Sequence, residues 1–238
     1  MAVYAISDLH LAYGVDKPMD IFGDRWSNYM QKIKDNWNRT VREEDFVIVP
    51  GDISWATYLE QAVEDFKFIE ALPGRKIISK GNHDYWWTTM SKLQKFLLEN
   101  DFKTISFMHN NSIKVDEYVI CGTRGWKCPG DDEFGAEDKK IYDRELNRLE
   151  LSLKSALGLA ESGSIIVAMH YPPFNSSGEP SDFVEIMRKY NVEMCIYGHL
   201  HGNSFKGAVT GIVQGIRFKL ASADYLNFDP VLLSLQNF

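Results

Sequence analysis

Five short apolar runs, separated by longer amphipathic segments, constrain the fold of this sequence more than any other feature. They occupy residues 3–7, 46–50, 76–79, 165–169 and 194–197. The runs are rich in β-branched residues and have the length of ordinary strands. Because each run is almost continuously apolar, it is typical of a strand whose two faces are both covered. The pattern predicts an α/β fold in which strands and helices alternate along the chain.

The segments between these runs repeat their apolar residues at helical spacing. They predict helices at residues 26–41, 58–72, 90–98 and 139–160. Further strand signals lie at residues 104–107, 112–115, 118–121, 204–213 and 216–221. Two long stretches, 11–23 and 123–136, have no clear periodicity, and such segments in a compact domain are usually functional. No repeat or linker divides the sequence, so we expect one domain over residues 1–238.

Charge and cysteine content narrow the class of protein. The formal net charge of −7 disfavours a nucleic-acid partner, because phosphate backbones are bound by clustered lysine and arginine. The three cysteines are odd in number and form no close pair, which favours a reducing compartment over a disulfide framework. No signal-peptide pattern and no apolar stretch of membrane-spanning length occurs. We therefore expect a cytoplasmic protein without a membrane segment.

Five of the six histidines lie at or just beyond the end of a predicted strand. The side chains at these ends that could bind a metal are Asp8, His10, Asp52, Asn82, His83, His170, His199 and His201. A single Asp or His in such a place is more often a turn or capping residue. Ligand sites of open α/β sheets, however, lie outside the carboxyl ends of the strands. Five strand ends with metal-binding side chains together indicate a metal centre.

Two of these strand ends carry a pair of candidate ligands two residues apart. The pairs are Asp8 with His10, and His199 with His201. Side chains two residues apart in an extended backbone point to the same side. Each pair is therefore expected to converge on one ion.

The blocks DLH, GD, GNHD, the histidine of MHYPP, and GHLH resemble those of the calcineurin-like metallophosphoesterase superfamily, particularly its bacterial-type predicted phosphohydrolases. They run from residue 8 to residue 201, so the resemblance covers most of the sequence. It implies a four-layer αββα sandwich, in which two mixed β-sheets pack face to face and helices flank them. It also implies a dinuclear metal site at the carboxyl ends of the strands. The expected reaction is hydrolysis of a phosphomonoester or phosphodiester by a hydroxide that bridges two metal ions.

The resemblance assigns a role to each matching residue. Asp8, His10 and His201 would bind the first ion, and Asn82, His170 and His199 the second. Asp52 would bridge both ions. His83 would assist the leaving group, while Asp84 would orient the His83 ring.

Nitrogen and oxygen donors without thiolate suit Mn, Fe, Co or Zn ions better than Ca²⁺. The sequence does not choose among these metals. Two further cations are candidate substrate contacts. Lys80 precedes the GNHD block, where related protein phosphatases carry a phosphate-binding arginine, and Arg124 lies in the second irregular stretch. Both could equally be ordinary surface residues.

Two alternatives stay open from the sequence. The same fold could serve as a non-catalytic metal-binding scaffold, although the full ligand set with His83 argues against that reading. The enzyme could also be a cyclic-nucleotide phosphodiesterase or a nuclease, because the catalytic centre would be identical. The acidic net charge makes a nuclease the weaker of these. The expected partner is a phosphorylated small molecule or a phosphodiester, and the sequence does not predict the oligomeric state.

Overall fold

The apolar runs form the strands of two β-sheets. A computed structural model describes residues 1–159 and 164–234 of the chain. The strands are β1 Val3–Ala5, β2 Phe46–Pro50, β3 Arg75–Ser79, β4 Ile105–Phe107, β5 Ile113–Val115, β6 Tyr118–Thr123, β7 Ser164–Met169, β8 Met194–Tyr197, β9 Gly211–Val213, β10 Ile216–Leu220 and β11 Val231–Leu232. The helices are α1 Tyr29–Thr40, α2 Val63–Glu70, α3 Met90–Glu99, α4 Ala136–Ala156 and α5 Asp182–Lys189.

Both sheets are mixed, with a parallel centre and an antiparallel strand at one edge of the first sheet and at both edges of the second. The first sheet has the order β11-β1-β2-β3-β4, in which only β11 runs antiparallel to its neighbour. The second has the order β5-β6-β7-β8-β10-β9, with β5 and β9 antiparallel at its two edges. The carboxyl ends of the parallel strands therefore gather at one edge of each sheet.

Alternate residues of the central strands face two different apolar clusters, as the two-residue period of a strand requires. In β2, Val47 and Val49 face the cluster on the helix side, whereas Ile48 faces the cluster between the sheets. In β7, Val167 faces its own helices and Ile166 meets the first sheet. This confirms that both faces of each sheet are covered.

The five helices form the two outer layers. Helices α1, α2 and α3 cover the first sheet through residues such as Ile33, Phe66 and Leu93, and α4 and α5 cover the second through Leu153 and Phe183. The result is the four-layer αββα sandwich that the resemblance implied. No helix among residues 1–159 and 164–234 combines the length and the apolar character that a membrane crossing needs.

The structure corrects several element boundaries. Strand β1 ends at Ala5, before the predicted limit at residue 7, and the predicted helix at 58–72 is a 3-10 turn followed by α2. The predicted strand at 204–213 is wrong over most of its length, because a 3-10 helix, Gly202–Gly207, precedes the short strand β9. The helix predicted over 139–160 is α4, and its last predicted residue lies outside the described residues.

Candidate metal centre

The predicted ligands follow the carboxyl ends of β1, β2, β3, β7 and β8 and lie together where the two sheets meet. Four of them have a positive φ, namely 61° at Asp8, 46° at His10, 52° at Asp52 and 71° at His199. A non-glycine residue adopts this region at a cost, and such strain concentrates at functional sites. The backbone at these positions is therefore not extended. The two-residue alternation of a strand was the wrong reason to expect that Asp8 and His10, or His199 and His201, converge. The chain turns sharply after each strand and so brings the side chains together.

Two glycines allow the loops that carry the ligands to approach each other. A Cβ atom on Gly81 would lie 2.1 Å from Oδ1 of Asp52. A Cβ atom on Gly198 would lie 2.3 Å from Oδ2 of Asp8. Since real Cβ atoms do not come so close, any side chain here would push a carboxylate out of position. The glycines before the ligands are thus needed for close packing of one loop on another.

Two groups of potential ligands share Asp8. One is Asp8 with His10 and His201, and the other is Asp8 with Asp52 and His170. In each group the potential ligand atoms lie within 4.8 Å of one another. The first group is the predicted set for the first ion. Oδ2 of Asp52 lies 3.3 Å from Nε2 of His170 and 3.8 Å from Nε2 of His10. Asp52 is thus close to a histidine predicted for the second ion and to one predicted for the first.

Lone pairs converge on the side of the second predicted ion. Nδ1 of His170 lies 3.1 Å from the carbonyl oxygen of Pro50, which can only accept, so this nitrogen carries the proton. The other nitrogen, Nε2, lies 2.6 Å from Oδ1 of Asn82, and Nδ1 of His199 lies 3.0 Å from the same oxygen. When Nε2 of His170 carries no proton, these acceptors point at one another in a buried site and need a cation between them. His10 adds a buried Nδ1 that has no hydrogen-bond partner among the described residues. The donor set therefore fits divalent metal ions.

The pKa values of the histidines and carboxylates agree with a site for divalent metal ions. Burial opposes charge on His170 and His201, but the carboxylates around them outweigh burial and raise the pKa to about 9 and about 10, respectively. Burial lowers the pKa of His10 to about 4 and, with the charge of His170 beside it, that of His199 to about 3. Burial also opposes ionisation of Asp52, but the neighbouring histidines hold its pKa below the usual range. Ions that bind here would replace the protons of His170 and His201.

The sequence as a whole agrees with a family in which such a centre is common. Residues 1–203 match the family described as calcineurin-like phosphoesterase, and the match includes every predicted ligand. The chain belongs to the calcineurin-like phosphoesterase family. It is therefore a hydrolase that acts on phosphate ester bonds. No curated protein is significantly similar in sequence.

Solved structures share the fold of this phosphoesterase at low sequence identity. The protein of unknown function AQ665 from Aquifex aeolicus is 20% identical, with 97% of this chain and 95% of that chain covered and a TM-score of 0.51. The phosphopantetheinyl hydrolase PptH from Mycobacterium tuberculosis is 13% identical, with 100% and 98% covered and a TM-score of 0.60. TT1561 of Thermus thermophilus is 12% identical, with 84% and 81% covered and a TM-score of 0.51. These similarities show the fold alone.

Two cavities open on the centre of the phosphoesterase and meet at His199. The first cavity has a volume of about 450 Å³, and its walls include Met19, Phe22, Trp26, Trp55, His83 and His201. The second cavity has a volume of about 470 Å³, and its walls include Trp126, Lys127, Tyr171, Leu200, Ser204 and Val209. His83 thus lies where the sequence predicts it, in contact with the space beside the ligands. Its ring centroid is 5.8 Å from that of His10 and 4.6 Å from that of Trp55.

Among the described residues, no hydrogen bond joins the Asp84 carboxylate to the His83 ring, so the orienting role of Asp84 stays a prediction. Its carboxylate is completely buried and accepts hydrogen bonds from the backbone N–H groups of Asp52 (2.9 Å), Ile53 (2.8 Å) and Gly81 (2.7 Å). It therefore holds the loop that carries Asp52 against the loop that carries Asn82 and His83. Burial and the charge of Asp52 raise the pKa of Asp84 to about 7, whereas these N–H donors favour its ionised form.

The two predicted substrate cations lie elsewhere. Lys80 and Arg124 line a small recess with Glu145 and line neither of the two cavities. The guanidinium of Arg124 lies 3.5 Å from the buried carboxylate of Glu145 and 4.5 Å from the ring centroid of Trp126. These partners explain the position of Arg124 without a substrate. The placement counts against the predicted substrate contact of both residues.

Asp224 is a site residue that the sequence reasoning missed. It is buried, and its Oδ1 accepts a hydrogen bond of 2.8 Å from Nδ1 of His201, which leaves Nε2 of His201 facing Asp8 at 3.3 Å. A carboxylate that orients a ligand histidine is common at metal sites. Asp224 comes shortly after β10, so the rule that selected the other strand ends could have selected this one too.

Proposed function

We propose that this protein is a metal-dependent phosphohydrolase with a two-ion centre at which His83 assists the leaving group. Asp8, His10, Asp52, Asn82, His170, His199 and His201 would hold the ions. The observation that carries the proposal is the pair of ligand groups that share Asp8, with Asp52 between their histidines. Bound ions would neutralise the charge of the phosphate and lower the pKa of a coordinated water towards about 7. Mn, Fe, Co or Zn ions suit these donors.

The residues of the chain account for the remaining requirements of hydrolysis. Asp84 and the glycines fix the loops so that the ligands are in place before the substrate arrives. His83 is half-buried, and burial lowers its pKa, so at neutral pH the ring is mostly neutral. Such a ring can donate one N–H to the oxygen that leaves from phosphorus. The ring of Trp55 packs beside it, with the two ring centroids 4.6 Å apart.

Metal content and turnover, measured together, test the proposal. The wild-type chain is expected to hold two divalent ions and to hydrolyse a phosphate ester with at least one of Mn²⁺, Fe²⁺, Co²⁺ and Zn²⁺. His83→Ala is expected to keep both ions and to lose about 10²-fold or more in kcat on an ester with a poor leaving group. The loss should be smaller for p-nitrophenolate, which leaves without proton transfer.

His109→Ala is the matched control, because His109 lies in the small recess outside both cavities. It should retain wild-type turnover. Equal activity of His83→Ala and wild type on the poor-leaving-group ester would remove the role of His83. Absence of both tightly bound metal and turnover would instead favour a non-catalytic scaffold.

A further inference from the structure

Both cavities are lined by His199, so the candidate centre borders two separate spaces. Their volumes, about 450 and about 470 Å³, are nearly equal and lie within the usual range for small organic ligands. Only the first cavity is lined by His83. A substrate with phosphorus at the ligands could therefore extend an organic group into each space.

The 3-10 helix Gly202–Gly207 contributes residues to the walls of both cavities. A helix of this kind has three residues per turn, so residues three apart share a face. Ser204 and Gly207 share one face and line the second cavity, whereas Gly202 lies on another face and lines the first. Asn203 lies on the remaining face and lines neither cavity.

Each cavity has an aromatic wall that begins at a ligand histidine. In the first cavity the ring of Trp55 stacks on His10, with centroids 4.7 Å apart and an angle of 20°. In the second cavity the ring centroid of Tyr171 lies 4.0 Å from that of His199, and Trp126 continues the wall 5.2 Å from Tyr171. Flat apolar walls of this kind suit ring-sized organic groups, because stacking on them removes apolar area from water.

Cations pack on a wall of each cavity: the Lys17 ammonium lies 3.9 Å from the ring centroid of Trp55, and the Arg124 guanidinium lies 4.5 Å from that of Trp126. Among the described lining residues, the first cavity has Arg25 and the second has Lys127, and the guanidinium of Arg25 donates to the carbonyl oxygen of Asp224 at 2.8 Å. Lys80 and Arg124 line the separate recess. A phosphomonoester brings two negative charges and benefits from extra cations, whereas a phosphodiester brings only one. These cations are compatible with either ester, and the two separate spaces favour the diester.

We propose that the substrate is a phosphodiester with an apolar, ring-sized group on each side. The leaving group lies in the first cavity beside His83, and the retained group lies in the second. The proposal rests on the proposed phosphohydrolase function and deepens it. Water forms a new bond to phosphorus while the bond from phosphorus to the leaving oxygen breaks. The N–H of His83 hydrogen-bonds to the leaving oxygen, which takes up one proton of the water, so the products are an alcohol or phenol and a phosphomonoester.

A series of p-nitrophenyl esters tests the choice of a diester. The leaving group stays constant, and the retained group is absent (p-nitrophenyl phosphate), methyl or phenyl. Wild-type kcat/KM should be at least tenfold higher for the phenyl diester than for the methyl diester, since the second cavity buries the ring. The phenyl diester should also exceed the monoester.

Substitutions on the 3-10 helix Gly202–Gly207 test whether the retained group of the diester lies in the second cavity. Ser204→Trp places a large side chain in that cavity and should reduce the phenyl-to-methyl ratio of kcat/KM at least tenfold. Asn203→Trp adds the same bulk on the neighbouring face and should keep the ratio within twofold. Ser176→Trp, on a different segment that lines the same cavity, should repeat the effect if Ser204→Trp does not fold.

The side on which the leaving group lies has its own test. Phe22 is exposed and lines the first cavity, whereas its exposed neighbour Ile21 lines neither. The test uses diesters that all retain a phenyl group and differ in the leaving group, which is either a phenolate or an alkoxide whose conjugate acid has a similar pKa. Phe22→Ala should reduce the phenolate-to-alkoxide ratio of kcat/KM at least threefold. Ile21→Ala should leave that ratio unchanged.

The outcomes separate the two proposals. Hydrolysis of p-nitrophenyl phosphate by the metal-loaded wild type, with no gain from a retained phenyl group, would overturn the diester proposal and leave the phosphohydrolase standing. An equal change of the phenyl-to-methyl ratio in Ser204→Trp and Asn203→Trp would also overturn it. Absence of turnover on every ester with every metal would overturn the proposed function itself.

Discussion

Replacing Asp84 with asparagine changes one atom of a carboxylate that binds two loops of the site together. Its Oδ2 accepts from the N–H groups of Asp52 and Gly81, and its Oδ1 accepts from the N–H of Ile53 and from Nε1 of Trp86 at 3.1 Å. Every partner is a donor. Whichever way the new amide turns, its NH₂ group faces at least two N–H groups that it cannot satisfy.

The magnitude follows from these contacts. A hydrogen bond to a charged acceptor contributes about 1.5–3 kcal/mol, so the loss of two costs about 3–6 kcal/mol. Part of this is offset because the substitution also removes the buried charge of Asp84 beside Asp52, whose own charge contributes to the raised pKa of Asp84. We expect a net loss of about 2–4 kcal/mol in the free energy of unfolding. With a urea slope of about 3 kcal/mol/M, the midpoint should fall by about 1 M.

Urea denaturation of the metal-free protein, followed by circular dichroism, measures this loss. Metal affinity should fall as well, since Asp52 is carried by one of the loops that Asp84 holds. His83→Ala is the contrasting variant, because it should lower turnover while leaving the urea midpoint unchanged. An Asp84→Asn variant with wild-type stability and metal content but the turnover of His83→Ala would refute our reasoning. It would support the prediction that Asp84 orients the catalytic ring.

Three other variants test separate parts of the structure. Asp224→Ala removes the acceptor of the Nδ1 proton of His201 and should weaken metal affinity about 10–100-fold, measured by chelator competition; unchanged affinity would show that His201 needs no such support. Gly198→Ala puts a Cβ atom against the carboxylate of Asp8 and should lower the metal content below that of wild type by elemental analysis. Lys76→Met leaves several backbone carbonyls and a threonine hydroxyl without their buried ammonium donor, and should cost about 2–4 kcal/mol in urea denaturation while metal content stays normal.

The central strands could be predicted because burial on both faces leaves a continuous apolar run with clear ends. Strands β2 and β8 lie where the sequence predicts them, each stopping at a glycine that starts a ligand loop. The signal fails at the edge of the second sheet. There residues 204–213 predict a strand, but a 3-10 helix that begins at Gly202 and ends at Gly207 takes up the first part, and of this stretch only β9 pairs with β10.

In the site, the sequence predicts where along the chain a residue lies but not the direction in which its side chain points. Strand-end positions are readable from sequence, so the structure brings the expected ligands together. The direction of a side chain is not readable. Asp84 is next to His83 in the chain, yet its carboxylate turns toward the backbone of the neighbouring loop. Arg124 follows a strand as the ligands do, yet it packs on Trp126 and faces Glu145.

The two irregular stretches that the sequence left uninterpreted have complementary places in the structure. The stretch 11–23 contributes Met19 and Phe22 to the first cavity, and the stretch 123–136 contributes Trp126 and Lys127 to the second. The ligands come from strand ends, where neighbouring strands fix the backbone, whereas these walls come from segments without periodicity. Loop side chains can change without disturbing the strands, so the chemistry of the centre and the shape of its substrate vary independently. The bond that is cleaved is therefore predictable from the motifs, while the groups on either side of it depend on two loops whose positions only the structure supplies.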